Sequence, residues 1–173
     1  MPPAALTLTP IEGIPLIQPG DNLADIILSA LQVSRITLQD GDIFVLAQKI
    51  VSKAEGRHID LTTVDPSIKA VVYAAEADKD PRLVELILRE IREVLRVRPG
   101  LMIVEHRLGF ICANAGIDHS NVSSPQTKGD GFDVVENSGG EEWVLLLPEN
   151  PDCSAADLRQ KLEAEAGICL GIM

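Results

Sequence analysis

Aromatic residues make up only 3% of this chain: three Phe, one Tyr and one Trp. With so few rings, the core must be filled by Leu, Ile, Val and Ala. Basic residues are also the minority. Fifteen Lys and Arg stand against 26 Asp and Glu, for a net charge of −11. A surface that acidic repels a nucleic-acid backbone and argues against DNA or RNA as a partner. It does not exclude an anionic small molecule, because a bound divalent cation and a few lysines can reverse the field locally. Cys112, Cys153 and Cys169 are odd in number, far apart and form no CxxC pair. They suggest neither a zinc site nor a disulfide framework, and reduced, packed cysteines in a cytoplasmic protein are expected. No apolar run is long enough to cross a membrane, and the N-terminus lacks the basic start and long apolar region of a secretory signal.

What is present is 173 residues, 46% hydrophobic and 24% charged, enough for one domain with its own core. The patterning predicts a strand over 5–9, a Pro/Gly loop over 12–21, and a helix over 23–31 capped by Asp21 or Asn22. A continuous apolar run over 43–47 reads as a strand buried on both faces. Helices are expected over 66–77 and from Asp80-Pro81 up to Pro99-Gly100. The second carries an apolar stripe of Val84, Ile87, Leu88, Ile91, Val94 and Leu95. The charges between Glu85 and Arg96 read as solvated helix charges in i,i+4 pairs. Strands are predicted over 101–105 and 108–113, flanking His106-Arg107, then over 143–147 and 168–173. Residues 123–142 read as a long surface loop. Ser154 to Asp157 resembles a capping box opening a helix to 166. The alternation indicates a mixed α/β (α+β) sheet domain with flanking helices.

The chemistry concentrates in two places. Lys49 and Lys53 leave the predicted 43–47 strand with Gln48 and Ser52 beside them, and cations at such a strand end commonly meet an anion. Solvated lysines paired with Glu55 are an equal reading of the spacing. Residues 114–121 then bring Asn114, Asp118, Ser120 and Asn121 into one turn. Oxygen donors of this kind suit Mg²⁺ or Mn²⁺ better than zinc. In isolation Asp118 reads more readily as a turn-former, and His58, His106 and His119 receive no role. Neither GxxxxGK[ST] nor GxGxxG occurs, so the common nucleotide folds are not indicated.

Several longer stretches resemble the coenzyme F420-0:gamma-glutamyl ligase family. They are Glu12-Gly13-Ile14-Pro15-Leu16-Ile17, the run DGDIFVLAQKIVSKAEGR over 40–57, KDPRLVELIL over 79–88, Glu105-His106-Arg107, NAGIDHSNV over 114–122, and LLLP at 145–148 followed by DCSAADLR at 152–159. The resemblance spans nearly the whole chain, with 123–142 as an insertion. It implies a GTP-dependent ligase that joins L-glutamate to coenzyme F420-0, a deazaflavin, through an acyl phosphate. It also implies Mg²⁺ or Mn²⁺, leaves room for a monovalent cation such as K⁺, and suggests a cytoplasmic homodimer. Position by position, the nucleotide contacts fall on Ile14, Pro15, Leu16, Ile17, Gln48, Lys49, Lys53 and Asn121. Lys53 doubles as the catalytic phosphate-side cation, and Asp118 is the first metal carboxylate. The first loop has Ile14 where Leu is commoner, and the family varies in residue type at Gln48 and Lys49.

In the family, a strand like 168–173 runs into an Asp-Thr pair that supplies further metal ligands. Residues 1–173 are therefore expected to be the N-terminal region of such a ligase domain, with the C-terminal part missing. Two alternatives stand beside the ligase: a catalytically silent nucleotide-binding or dimerisation module, and an amide ligase of the same fold acting on another carboxylate.

Overall fold

The computed structural model describes residues 6–119 and 143–173. Ser120, Asn121 and the 123–142 insertion lie outside the described residues, as does the first residue of the 5–9 strand. Among the described residues the architecture is mixed α/β, with five α-helices and three small sheets.

The first core forms where an antiparallel sheet meets two helices. Strands β3 (Ile91–Arg98), β4 (Leu101–His106) and β5 (Ile111–Ala113) pair in that order. Helices α3 (Ile68–Ala77) and α4 (Pro81–Arg89) belong to the same cluster, which unites Ala70, Ala74, Ala77, Val84 and Ile87 with Met102, Val104 and Ala115. The alanine row lets the α3 backbone come close. Ser67 caps α3. Asp80 caps α4 with Pro81 in the first turn, as its sequence predicts. The second core is built by α1 (Leu23–Ser34) and α5 (Pro151–Ala166) around Phe44 and Leu170. Its sheet is the parallel pair of β1 (Ile43–Phe44) and β7 (Gly171–Ile172). β2 (His58–Asp60) pairs antiparallel with β6 (Trp143–Leu145), and Val144 and Ile59 from this pair pack in a third, smaller cluster with Leu61, Val64 and Leu86.

Several expectations are corrected. Residues 6–9 form no strand, and Leu6 and Leu8 are exposed. The 43–47 run is not buried on both faces. Phe44 is buried, while Ile43 and Val45 are 62% and 69% exposed. The period is two, so one face packs and the other does not. The long helix predicted from Pro81 ends at Arg89, and 91–98 is strand β3. Two register shifts in β3, between Ile91 and Glu93 and between Val94 and Arg96, explain the error. Each bulge adds a residue, so Ile91, Val94 and Val97 face inward every third position and imitate a helical stripe. Arg92 accordingly pairs across the sheet with Glu105, not along a helix. The last helix begins at Pro151, three residues before Ser154. Its cap is Asn150, whose side chain accepts the Cys153 amide at 3.1 Å.

Candidate functional site

The lysines expected at a strand end lie on a short helix, α2 (Gln48–Ala54). Spacing of four puts Lys49 and Lys53 on one face. Gln48 donates to the fully buried Ser52 hydroxyl, which ties the first turn to the second. At the other end, the Ala54 carbonyl accepts the Gly20 amide at 2.8 Å and anchors the loop that carries Ile14, Pro15, Leu16 and Ile17. In that loop Ile17 is buried and Leu16 exposed.

Lys49 Nζ lies 2.6 Å from Asp118 Oδ2, so two of the sequence-derived candidates meet although 69 positions separate their numbers. With side chains 34% and 22% exposed, such a pair stabilises the fold by about 1 kcal/mol or less. Its interest lies in what it places together, a cation and a carboxylate on separate elements. The competing pairing of the lysines with Glu55 is not what forms. Glu55 instead accepts the Glu149 amide and the Ser154 hydroxyl.

The backbone before Asp118 is unusual. Asn114, Ala115 and Gly116 have φ of 50°, 55° and 67°, three successive left-handed residues. For an L-residue this conformation costs about 1–2 kcal/mol each, less for Asn and nothing for Gly. The turn persists because it is held on several sides. Asn114 Oδ1 accepts the Met102 amide at 3.0 Å, and Ala115 is buried in the first core. Asp118 exchanges two backbone hydrogen bonds with Leu145, at 2.9 and 2.8 Å. Strain concentrated beside a candidate site is a common association. Asn114, read from sequence as an oxygen donor beside Asp118, is thus committed to Met102.

Among the described residues no three His, Cys, Asp or Glu converge as a cation centre requires. Asp118 is one carboxylate, already paired, and the described residues do not by themselves make a metal site. Lys53 is half-buried, and its charge helps to depress the neighbouring His58.

A second polar cluster was missed from sequence. Glu90, at the end of α4, is buried and accepts from Arg57 Nη2 and Arg107 Nε, each at 3.1 Å. The same arginines donate to the Leu147 and Glu149 carbonyls. His106 is fully buried beside them, with Nε2 3.7 Å from Glu90 Oε2. Its Nδ1 accepts the Leu108 amide at 3.1 Å, which leaves the ring proton on Nε2. Burial pushes the His106 pKa below its ordinary value of 6.5; the Glu90 charge opposes this and Arg107 and Arg57 reinforce it. His58 is lowered too, first by burial and then by Lys53.

Both histidines therefore favour the neutral form when folded. The unfolded chain takes up protons first as pH falls through 6.5, so stability is complete above that value and declines below it. His106→Gln is expected to flatten part of the decline between pH about 7.5 and about 5.5 in urea denaturation. An unchanged slope would show that His106 protonates as readily in the folded state as in the unfolded.

Comparison with known proteins supplies the remaining observation. The model of the F420-0:Gamma-glutamyl ligase family matches residues 13–173. The coenzyme F420:L-glutamate ligase of Methanothermobacter thermautotrophicus is 41% identical over 168 residues, covering 97% of this chain and 60% of the relative. That of Methanopyrus kandleri is 39% identical over 166 residues, with 94% and 57% covered. That of Methanosarcina mazei is 39% identical over 163 residues, with 94% and 55% covered. The chain thus spans somewhat more than half the length of these curated relatives.

Proposed function

This chain belongs to the F420-0:gamma-glutamyl ligase family, and we propose on that footing that it serves the GTP-dependent joining of L-glutamate to coenzyme F420-0 through a gamma-linkage. The observation that carries this reading furthest is the meeting of Lys49 with Asp118 within a chain matched over 13–173.

In this reading the γ-phosphoryl group of GTP passes to the carboxylate of coenzyme F420-0, releasing GDP. The glutamate amine attacks the acyl phosphate, and inorganic phosphate leaves. Charge builds on phosphate oxygens in both steps, and fixed cations offset it. Lys53, with Lys49 one turn before it, is the cation assigned to that task. Ile14, Pro15, Leu16 and Ile17 would present backbone to the nucleotide, with Gln48 and Asn121 as further contacts. Mg²⁺ or Mn²⁺ belongs to the reading, with Asp118 as one carboxylate for it and K⁺ as a further cation. The described residues complete no such centre, so no step is assigned to the metal here. A cytoplasmic homodimer without nucleic-acid or membrane partners completes the proposal. No helix among the described residues is long and apolar enough to cross a membrane.

The test is incubation with GTP, Mn²⁺, L-glutamate and coenzyme F420-0, followed by mass spectrometry. The expected product is heavier by one glutamyl group, and Asp118→Ala or Lys53→Ala abolishes it. GTP consumed on another carboxylate, with no such product, favours the amide ligase of different substrate. No turnover and no nucleotide binding leaves a silent module and ends the reading.

A further inference from the structure

We infer that Arg57 is a positioning residue for the candidate site: it sets the distance between the lysines of α2 and Asp118. The two sides of that site belong to different elements. Lys49 and Lys53 stand on α2, while Asp118 stands on the turn that pairs with β6. A partly exposed ion pair is too weak to hold two elements in register by itself. The register has to come from the backbone around it, and Arg57 is where the two sides meet. That the pair serves phosphoryl chemistry rests on the proposed function; the distance that Arg57 sets does not.

On the helix side, α2 closes with a paired C-terminal turn. Gly56, at φ 68°, donates its amide to the Lys53 carbonyl, and the Arg57 amide reaches back to the Ser52 carbonyl, each at 2.9 Å. Ser52 is fully buried, so this end of the helix is fixed directly beneath Lys53. On the strand side, the Arg57 carbonyl accepts the Leu146 amide at 3.0 Å and Arg57 Nε donates to the Leu147 carbonyl at 2.9 Å. The adjoining residue, Leu145, is the one that exchanges both backbone bonds with Asp118. The path from Lys49 to Asp118 therefore runs through one helix, one arginine and residues 145–147. It closes on itself at the 2.6 Å contact of the two side chains.

The guanidinium is what this position requires. Its planar fork sends Nε to the Leu147 carbonyl and Nη2 to Glu90 Oε1, the latter at 3.1 Å. Two acceptors on different elements fix the plane, which a single flexible ammonium cannot do. Glu90 is itself held from its far side. Arg107 Nε donates to its carboxylate at 3.1 Å and the Arg107 amide to its carbonyl at 2.9 Å. Glu90 thus aims Arg57, and Arg57 spaces the lysines from the carboxylate. Misplacing a reacting group by about 1 Å can cost up to about 100-fold in rate, so a residue that touches no reacting atom can still govern turnover.

The experiment follows the Lys49 ammonium in the ¹⁵N-labelled chain by nuclear magnetic resonance, assigned by its loss in Lys49→Arg. An ammonium held against a carboxylate exchanges its protons slowly enough to be seen. The signal is expected in the parent and absent in Asp118→Asn. Arg57→Lys keeps the charge but not the fork, and should speed the exchange at least about tenfold or remove the signal. Leu31→Ala supplies the control. It opens the second core, whose cluster includes no residue of α2 or β6, so it lowers stability and should leave the signal in place. Circular dichroism of each variant confirms the fold. No signal in the parent, a signal that survives Asp118→Asn, or one unchanged in Arg57→Lys overturns the inference. So does equal loss in Leu31→Ala, which would reduce Arg57 to a general contribution to stability. In the glutamylation assay, Arg57→Lys should lower kcat about tenfold and leave the KM for L-glutamate unchanged; full turnover in that variant also overturns the positioning role. No glutamylation by the parent removes the proposed reaction, and the ammonium signal still decides what Arg57 positions.

Discussion

Glu90→Leu is expected to lower the stability of this protein by about 3 kcal/mol, with a fall in melting temperature of about 10 °C. The carboxylate sits where electrostatics along the helix disfavours it, at the C-terminal end of α4. What keeps it there is two arginines from distant parts of the chain, each 3.1 Å away. Arg57 leads into β2, and Arg107 lies in the turn between β4 and β5. Both also bind carbonyls just beyond β6. Removing the anion leaves two guanidinium groups, with side chains 20% and 32% exposed, facing each other and a buried histidine. The cost lies in the uncompensated charges more than in the lost contact. Glu90→Gln keeps the acceptor oxygen but not the charge, and should cost about half as much. Urea denaturation of the three proteins decides it. A loss under about 1 kcal/mol for Glu90→Leu would mean that the arginines find water or other carboxylates without difficulty.

Gly116→Ala is expected to cost about 2–4 kcal/mol, from two sources that act together. The backbone there has φ 67°, which an alanine resists. A methyl group built on it would also lie 2.8, 3.0 and 3.2 Å from three carbons of the Leu147 side chain. Three short contacts, one with the branching carbon, cannot be relieved by rotating a side-chain tip. Leu147 lies beside the Arg57 anchor and β6, and β6 holds Asp118 by its backbone. The strain should therefore pass to the Lys49–Asp118 pair. Thermal melting measures the stability, and the Asp118 backbone amide, followed by hydrogen exchange, should lose protection against Leu145. A variant as stable as the parent, with that amide still protected, would show that Leu147 moves aside freely.

Much of the local structure was legible because its signals are local. Asn22, Asp80 and Pro81 start their helices where capping chemistry places them, and the turn before β4 sits at Pro99-Gly100. The strand β3 was not legible, because bulges replaced the period of two with a period close to that of a helix. Glu90 read as one more solvated charge, since nothing near it in sequence announces Arg57. The pairing of Lys49 with Asp118 was legible only as two separate candidates, each with an ordinary alternative, until the resemblance of the surrounding motifs joined them. The stacking of Phe110 on His106 was not legible for a different reason. It depends on how the 106–110 turn closes, and Phe110 in an apolar run reads simply as core.

The parallel pairing of β1 with β7 also sets an order of events. Ile43 lies beside Gly171, and the Asp40 carboxylate accepts the Cys169 amide across 129 residues of chain. Contacts of such high sequence separation carry the loop-closure cost of everything between them and arrive late in folding. The unit from α3 through β5 is contiguous, and it can consolidate while the ribosome is still making α5. Phe110 is then stacked on His106 before α5 exists, and the core around Phe44 and Leu170 stays open until α5 and β7 are delivered.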